Sequence, residues 1–125
     1  MENLNLGIYD GQITFQFMDL LSIRQSQEIL TVFLKQIARE SLDAGAKLIG
    51  HIKCFVETEH HCIFYGSIVS ADDIPKWKGR GDVDSSKIVI KLNALVYGIN
   101  SKEMELIVEK NISSLSERFG FYYFF

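Results

Sequence analysis

The sequence predicts an α+β protein in which two long helices cover one face of a mostly antiparallel sheet, forming a two-layer sandwich. Residues 47–57, 61–70 and 87–99 alternate apolar and polar side chains with the period of two that is typical of strands. Residues 22–44 and 101–119 instead repeat apolar side chains every three or four positions, as helices with one buried face do. The lengths agree, because the first helix would span roughly 34 Å and the first of these strands roughly 36 Å. The predicted order along the chain is β-β-α-β-β-β-α-β.

Composition and charge restrict the class of protein. With 125 residues, 47% of them hydrophobic and 23% charged, the chain has the size and composition of a single domain, residues 1–125. It contains no run of eighteen apolar residues and no secretory signal, and its two cysteines are too few for a disulfide framework. We therefore expect a cytoplasmic protein with reduced thiols, no membrane association and no cofactor. The net charge of −3 disfavours nucleic acid as a partner.

The N-terminal part of the chain is predicted to form a hairpin. Residues 3–9 and 12–18 would be its arms, because Asp10-Gly11 between them is a strong signal for a two-residue turn. One face of the second arm should be buried, since its apolar residues recur at every second position. These residues are Ile13, Phe15 and Phe17.

Both helices carry signals for their ends. Ser22 with Gln25, and Asn100 with Glu103, fit capping boxes in which each side chain bonds to the backbone N–H of the other residue. A glycine follows the last turn of each helix, where it can adopt the left-handed conformation. We expect these helices to begin and end close to those positions.

The two strands within residues 47–70 meet at a short polar turn. A three-residue loop at residues 58–60 would pair Lys53 with Tyr65 and His51 with Ser67. It would also put the apolar side chains of both strands on one face, whereas a loop one residue longer or shorter would mix the two sets. We prefer the segregated arrangement because it buries more apolar surface.

Stacking these strands on residues 87–99 gathers a polar set of side chains on the face away from the helices. Its members are His51, Lys53, Tyr65, Ser67, Lys91, Asn93 and Tyr97. Lysines, an imidazole and hydroxyl or amide donors suit an anionic ligand such as a phosphate or a carboxylate, although the alternative is an ordinary solvated sheet face. Five apolar residues flank this set, and the mixture suits the roof of a pocket or an oligomer interface better than open water. They are Ile49, Phe55, Ile63, Val69 and Leu95.

The connection at residues 70–86 is long for a compact domain, and loops of this length are commonly functional or mobile. Its centre interleaves one aromatic residue with three cations, which are Lys76, Trp77, Lys78 and Arg80. Such a segment could close over an anion or stack on a base. The alternative is a solvated loop whose tryptophan packs on the body of the protein. Arg80-Gly81-Asp82 spells a cell-adhesion tripeptide, which we attribute to chance in a chain without a secretory signal.

The residue pattern offers no support for a metal site or for catalysis. Cys54, His60, His61 and Cys62 do not have the spacing of a zinc site, and adjacent strand residues point to opposite faces. No nucleophile elbow, P-loop or dinucleotide-binding fingerprint is present. We therefore assign no catalytic or metal-binding residue and lean towards a protein that is not an enzyme.

The last five residues are all aromatic: Phe121, Tyr122, Tyr123, Phe124 and Phe125. Exposed together they would promote aggregation, so we expect a strand in the chain's own sheet or a second subunit to cover them.

Two hypotheses for function follow. The leading one is a small non-enzymatic binding or accessory protein that self-associates as a homodimer through the mixed sheet face and the aromatic terminus. The alternative is a protein, catalytic or not, that binds a nucleotide or phosphometabolite beneath residues 76–80, on His51, Lys53, Lys91 and Asn93. Nucleic-acid binding through Trp77 is the weakest alternative because the chain is acidic.

Overall fold

Six strands and two helices make up the protein in the computed structural model, which describes residues 5–125. The elements are β1 (Leu6–Leu21), α1 (Ile23–Asp43), β2 (Leu48–Thr58), β3 (Ile63–Ile68), β4 (Lys78–Arg80), β5 (Ser85–Tyr97), α2 (Ser101–Phe119) and β6 (Phe121–Phe124). The strands form one antiparallel sheet in the order β4-β3-β2-β5-β1-β6. Both helices pack on one face, called the inner face here, and the opposite face is called the outer face. The predicted α+β two-layer sandwich is therefore confirmed.

The predicted N-terminal hairpin is wrong, because β1 is one strand of 16 residues. It pairs with β5 without interruption from Leu6 to Gln16, so that Asp10 and Gly11 lie in the middle of a strand. Gly11 does not adopt a positive φ; a side chain there would collide with the ring of Tyr9, whose hydroxyl lies 2.8 Å from the Cβ position. Pairing with the long strand β5 thus outweighs the local turn preference. Residues 3 and 4 of the predicted first arm lie outside the described residues.

The helix ends agree with the capping signals. In both predicted capping boxes the two hydrogen bonds are present, between Ser22 and Gln25 and between Asn100 and Glu103. Gly120 ends α2 in the left-handed conformation, with a φ of 71°. The buried residues of the helices lie every three or four positions and cover the inner face of the sheet.

The β2–β3 hairpin keeps the predicted faces but not the predicted pairs. Its loop is residues 59–61, one position later than expected, because the Thr58 N–H donates to the Cys62 carbonyl at 2.9 Å. Lys53 therefore pairs with Ser67 rather than Tyr65. Each β2 residue thus pairs with a β3 residue two positions later than expected. Because side chains alternate with a period of two, a shift of two residues leaves the apolar side chains of both strands on the inner face.

A bulge at Gly50 changes the face of one predicted residue. The register of β2 against β5 shifts between Ile49 and His51, and Ile49 is consequently buried rather than on the outer face. Gly50 permits this because a Cβ there would lie 2.9 Å from the carbonyl oxygen of Leu95. The predicted outer position of Ile49 is wrong for this reason.

The core lies between the inner face and the helices, and it includes the first residue of the aromatic terminus. Phe121 is buried and stacks on Phe15 with ring centroids 4.3 Å apart. The terminal segment forms β6 next to β1, which confirms the prediction that it adds a strand to the sheet. Neither helix of the described chain is both long and apolar enough to cross a membrane.

Candidate functional site

A groove of about 690 Å³ opens on the outer face at one side of the sheet. It lies over β2, β3 and β5 and is bounded by the segment that leads into β4. The groove is lined by Asp10, Lys53, Cys54, Phe55, Tyr65, Gly66, Ser67, Asp73, Ile74, Lys76, Lys78, Lys91, Leu92 and Asn93. Because four of these residues are lysines, we call it the lysine groove.

Cross-strand register explains why these side chains meet. Lys91, Phe55, Tyr65 and Lys78 are successive partners across β5, β2, β3 and β4, so they form one row on the outer face. The next row contains Asp10, Asn93, Lys53 and Ser67. Side chains in such rows lie about 5 Å from their neighbours. The lysines therefore flank an aromatic pair on both sides.

The floor of the groove is the aromatic pair Phe55 and Tyr65. Their ring centroids are 6.4 Å apart and the ring planes differ by only 15°. The two residues are 42% and 48% exposed. A ligand that covers these rings would remove apolar surface from water, which is favourable at roughly 25 cal/mol per Å².

The lysines of the groove have no carboxylate partner in the part of the chain that the structure describes. The ion pairs there join Arg24 with Glu28, His60 with Glu59, and Lys110 with Glu40. Two carboxylates do line the groove, those of Asp10 and Asp73. Asp73 accepts a hydrogen bond from the Val69 N–H at 2.8 Å and thereby fixes the turn after β3. Four ammonium groups against two carboxylates leave the groove with an excess of positive charge.

Trp77 anchors the segment that leads into β4, which forms the wall of the groove. Its indole N–H donates to the hydroxyl of Thr31 on α1 at 3.0 Å, and its ring meets Phe64 edge-on at 5.5 Å. The ring lies directly over Gly66, where a Cβ would be 2.7 Å from it. Trp77 thus packs on the body of the protein, as in the second of the two interpretations of this segment. Lys76 and Lys78, on either side of it, line the groove.

Four predicted site residues of the sheet and the loop lie outside the groove, and Trp77, described above, is one of them. The His51 ring nitrogen Nε2 is 2.6 Å from the Asn93 Oδ1, so the imidazole contacts a groove residue without lining the groove itself. Tyr97 lies at the far end of β5, opposite Leu6 and Leu48, and Arg80 is opposite Ile63. The remaining predicted residues of the polar set come together in the groove: Lys53, Tyr65, Ser67, Lys91 and Asn93.

Sequence reasoning missed Asp10, Asp73 and Ile74 as groove residues. The sequence predicts a turn at Asp10, and only the continuous pairing of β1 with β5 places this residue opposite Asn93. Ile74 is 75% exposed at the rim of the groove. An apolar residue in a segment otherwise rich in charge was the one signal in the sequence that could have identified it.

The groove contains no strong nucleophile among the described residues. Burial raises the pKa of Cys54, whose side chain lies on the inner face, to about 12, and a thiol that stays protonated reacts poorly. The imidazole of His51 is engaged with Asn93 rather than with Ser67. No group of three or more metal-ligating side chains lies close enough together within residues 5–125 to hold a metal ion.

The aromatic terminus is only partly covered. Phe121 is buried, whereas Tyr122, Phe124 and Phe125 are 66%, 50% and 70% exposed. Tyr122 and Phe124 pair with Gln16 and Thr14 of β1, which places them on the outer face of the sheet.

Comparisons with protein-family models, curated proteins and solved structures gave no match for this chain.

Proposed function

We propose that this protein is a small cytoplasmic, non-enzymatic binding protein whose ligand is a small anion with an apolar or aromatic portion. The observation that carries the proposal is the convergence of Lys53, Lys76, Lys78 and Lys91 on one groove without carboxylate partners in residues 5–125. Phosphate and carboxylate groups are the ligands that such a set of ammonium donors binds best.

Charge and shape act on different parts of the ligand. The lysines would hold its anionic group, since hydrogen bonds from a charged donor to a charged acceptor are about twice as strong as neutral ones. Phe55 and Tyr65 would contact its apolar portion, and the Ser67 hydroxyl and Asn93 amide would set its orientation. A concave site with an apolar floor and a few polar groups is the usual form of a small-molecule site.

A thermal-shift titration tests the proposal, with inorganic phosphate, adenosine monophosphate and 4-hydroxybenzoate as probes. We expect the two probes that combine an anion with a ring to raise Tm, and phosphate alone to do so less. At a probe concentration of a hundred times Kd, the stabilisation should be about 2.7 kcal/mol, which corresponds to several degrees.

Two double variants distinguish specific binding in the groove from nonspecific attraction of an anion to a basic surface. Lys53→Ala with Lys91→Ala should abolish the shift. Lys87→Ala with Lys102→Ala changes the net charge equally, outside the groove, and should preserve it. Absence of a shift with all three probes, or equal loss in both double variants, would contradict the proposal and favour an ordinary solvated sheet face.

Self-association is the second candidate function, because three large aromatic side chains of the terminus remain exposed in the single chain. Exposed rings of this kind commonly mark an interaction surface. Removal of all five terminal residues is a poor test, since Phe121 belongs to the core and its loss would destabilise the fold. The mass of the intact chain in solution is the appropriate measurement, and a homodimer would have twice the 14.3 kDa of the chain.

A further inference from the structure

The outer edge of β6 has backbone groups that no other strand of the described chain satisfies. On β1, alternate residues point their N–H and C=O groups towards β6, as the hydrogen bond from the Ile8 N–H to the Ser101 hydroxyl on that side shows. Thr14 and Gln16 belong to the same alternate set, and they pair with Phe124 and Tyr122. The N–H and C=O groups of Tyr123, between those two partners, therefore point away from the sheet.

The β6 strand is short and the Ser116 hydroxyl covers the Phe121 carbonyl, but charge, proline and a bulge do not protect its edge. Residues Phe121–Phe124 include no charged side chain and no proline, and their pairing with β1 contains no bulge. The opposite edge of the sheet differs, because β4, which is about as short, carries Lys78 and Arg80. One edge is thus protected by charge and the other is open and aromatic.

We propose that the β6 strands of two copies of this chain pair with each other, antiparallel about Tyr123, and join the two sheets into one. Tyr123 would exchange both backbone hydrogen bonds with Tyr123 of the second copy. Tyr122 would lie opposite Phe124 of the second copy, so that four exposed rings meet on the outer face. This proposal rests on the self-association described above and specifies its geometry.

A second copy suits this edge because the strand is complementary to itself. An uncharged segment meets its own copy without repulsion, and antiparallel pairing follows directly from a two-fold axis. The helices also allow it: α2 lies over β1 and β6, so two copies of α2 would lie about 10–14 Å apart, close to the spacing of packed helices.

Charge argues against a dimer formed by packing the outer faces together. The outer face carries the cations Lys53, Lys78, Arg80, Lys87 and Lys91. The strands of this face contribute the carboxylates of Asp10 and Glu57, and Asp73 adds a third at the groove, so cations remain in excess. Two such faces in contact would bring like charges together, whereas edge pairing leaves the lysine groove open to its ligand.

The area available predicts a dimer of low affinity. Aromatic side chains bury 150–250 Å² each, and the exposed fractions of Tyr122, Phe124 and Phe125 leave roughly 300–450 Å² of ring surface per chain. That is about half of the roughly 800 Å² that each partner buries in a standard interface, so we expect a weak dimer whose formation depends on protein concentration.

Sedimentation velocity of the full chain across a wide concentration range, with the Tyr123→Pro variant, tests the pairing. Proline removes the outward N–H of Tyr123 but leaves the bonds of Tyr122 and Phe124 to β1. We expect the dissociation constant of the dimer to rise about 30-fold or more, since two hydrogen bonds are lost. Tyr123→Ala is the matched control, because it removes the ring but keeps the N–H, and it should dimerise more tightly than the proline variant.

Hydrogen exchange of the wild-type chain keeps the test independent of whether the proline variant folds. The Tyr123 amide should be protected at concentrations that give a dimer and unprotected after dilution. A chain that is monomeric at every concentration would refute both self-association and the edge pairing. A dimer that survives Tyr123→Pro, or one in which the Tyr123 amide exchanges rapidly, would refute the edge pairing alone and leave self-association standing.

Discussion

The contact between Trp77 and Gly66 determines whether the wall of the lysine groove is fixed. Trp77 belongs to the segment that carries Lys76 and Lys78, and its ring lies where a side chain on Gly66 would project. We predict that Gly66→Ala displaces the ring, because the new Cβ would be 2.7 Å from the Trp77 Cε3 atom. Real Cβ atoms do not approach other carbons so closely, so the indole has to move.

The expected cost follows from the contacts that would be broken or strained. Overpacking of a well-packed site costs about 1–3 kcal/mol, and the hydrogen bond from the indole to Thr31 contributes about 1 kcal/mol. The edge-on contact with Phe64 adds about 0.5–1.5 kcal/mol. Replacing glycine within a strand recovers about 0.5–1 kcal/mol of backbone entropy. We therefore expect the free energy of unfolding to fall by about 1.5–5 kcal/mol, which lowers Tm by roughly 5–25 °C.

Fluorescence and thermal unfolding measure the two consequences separately. Trp77 is the only tryptophan in the chain, so its emission reports on this contact alone and should shift to longer wavelength as the ring becomes more exposed. Probe binding in the lysine groove should weaken in the same variant, because Lys76 and Lys78 lose their fixed position. Ser67→Ala is the control for stability, since Ser67 is the next residue but faces outward; it should change stability by no more than about 0.5 kcal/mol. A Gly66→Ala protein with the wild-type Tm and emission would show that Trp77 does not lie over Gly66, and would refute the reasoning.

Two further predictions concern titratable groups. The Ser86 N–H donates to the Glu59 carboxylate at 2.8 Å, and this bond is the main cause of the lowered pKa of Glu59. A lowered pKa stabilises the fold at neutral pH, and that contribution is lost as the pH falls through the lowered value. Urea unfolding should therefore show Glu59→Gln less stable than wild type at neutral pH, with the gap closing in acid; a gap that does not change with pH would contradict this. For Cys54, burial raises the pKa to about 12, so the thiol stays protonated in mildly alkaline solution. Iodoacetamide should label Cys54 only after unfolding in guanidinium, as mass spectrometry can measure, and rapid labelling of Cys54 in the native protein would show that its burial is wrong.

Local features of the sequence determined the helices, the strand faces and the two-layer class. The capping boxes at Ser22 and Asn100 act between residues three positions apart, so neighbouring residues suffice to locate the helix starts. Alternation within β2, β3 and β5 assigns each side chain to a face in the same local way, apart from the bulge at Gly50. The five consecutive aromatic residues of the terminus likewise predicted that this segment is at least partly buried, and Phe121 is in the core.

Only the tertiary structure decided how distant segments meet. Asp10-Gly11 favours a turn locally, but the hydrogen bonds between β1 and β5 keep β1 extended. Asp10 lines the groove as a result. The same holds for Trp77, whose partners Thr31 and Phe64 come from α1 and β3. The lysine groove depends on the cross-strand register and on the contacts of Trp77 with Thr31 and Phe64. Both bring together residues that are far apart in the sequence. A sequence pattern specifies which side of a strand faces inward, whereas the choice of partner strand is made by the energy of the whole sheet.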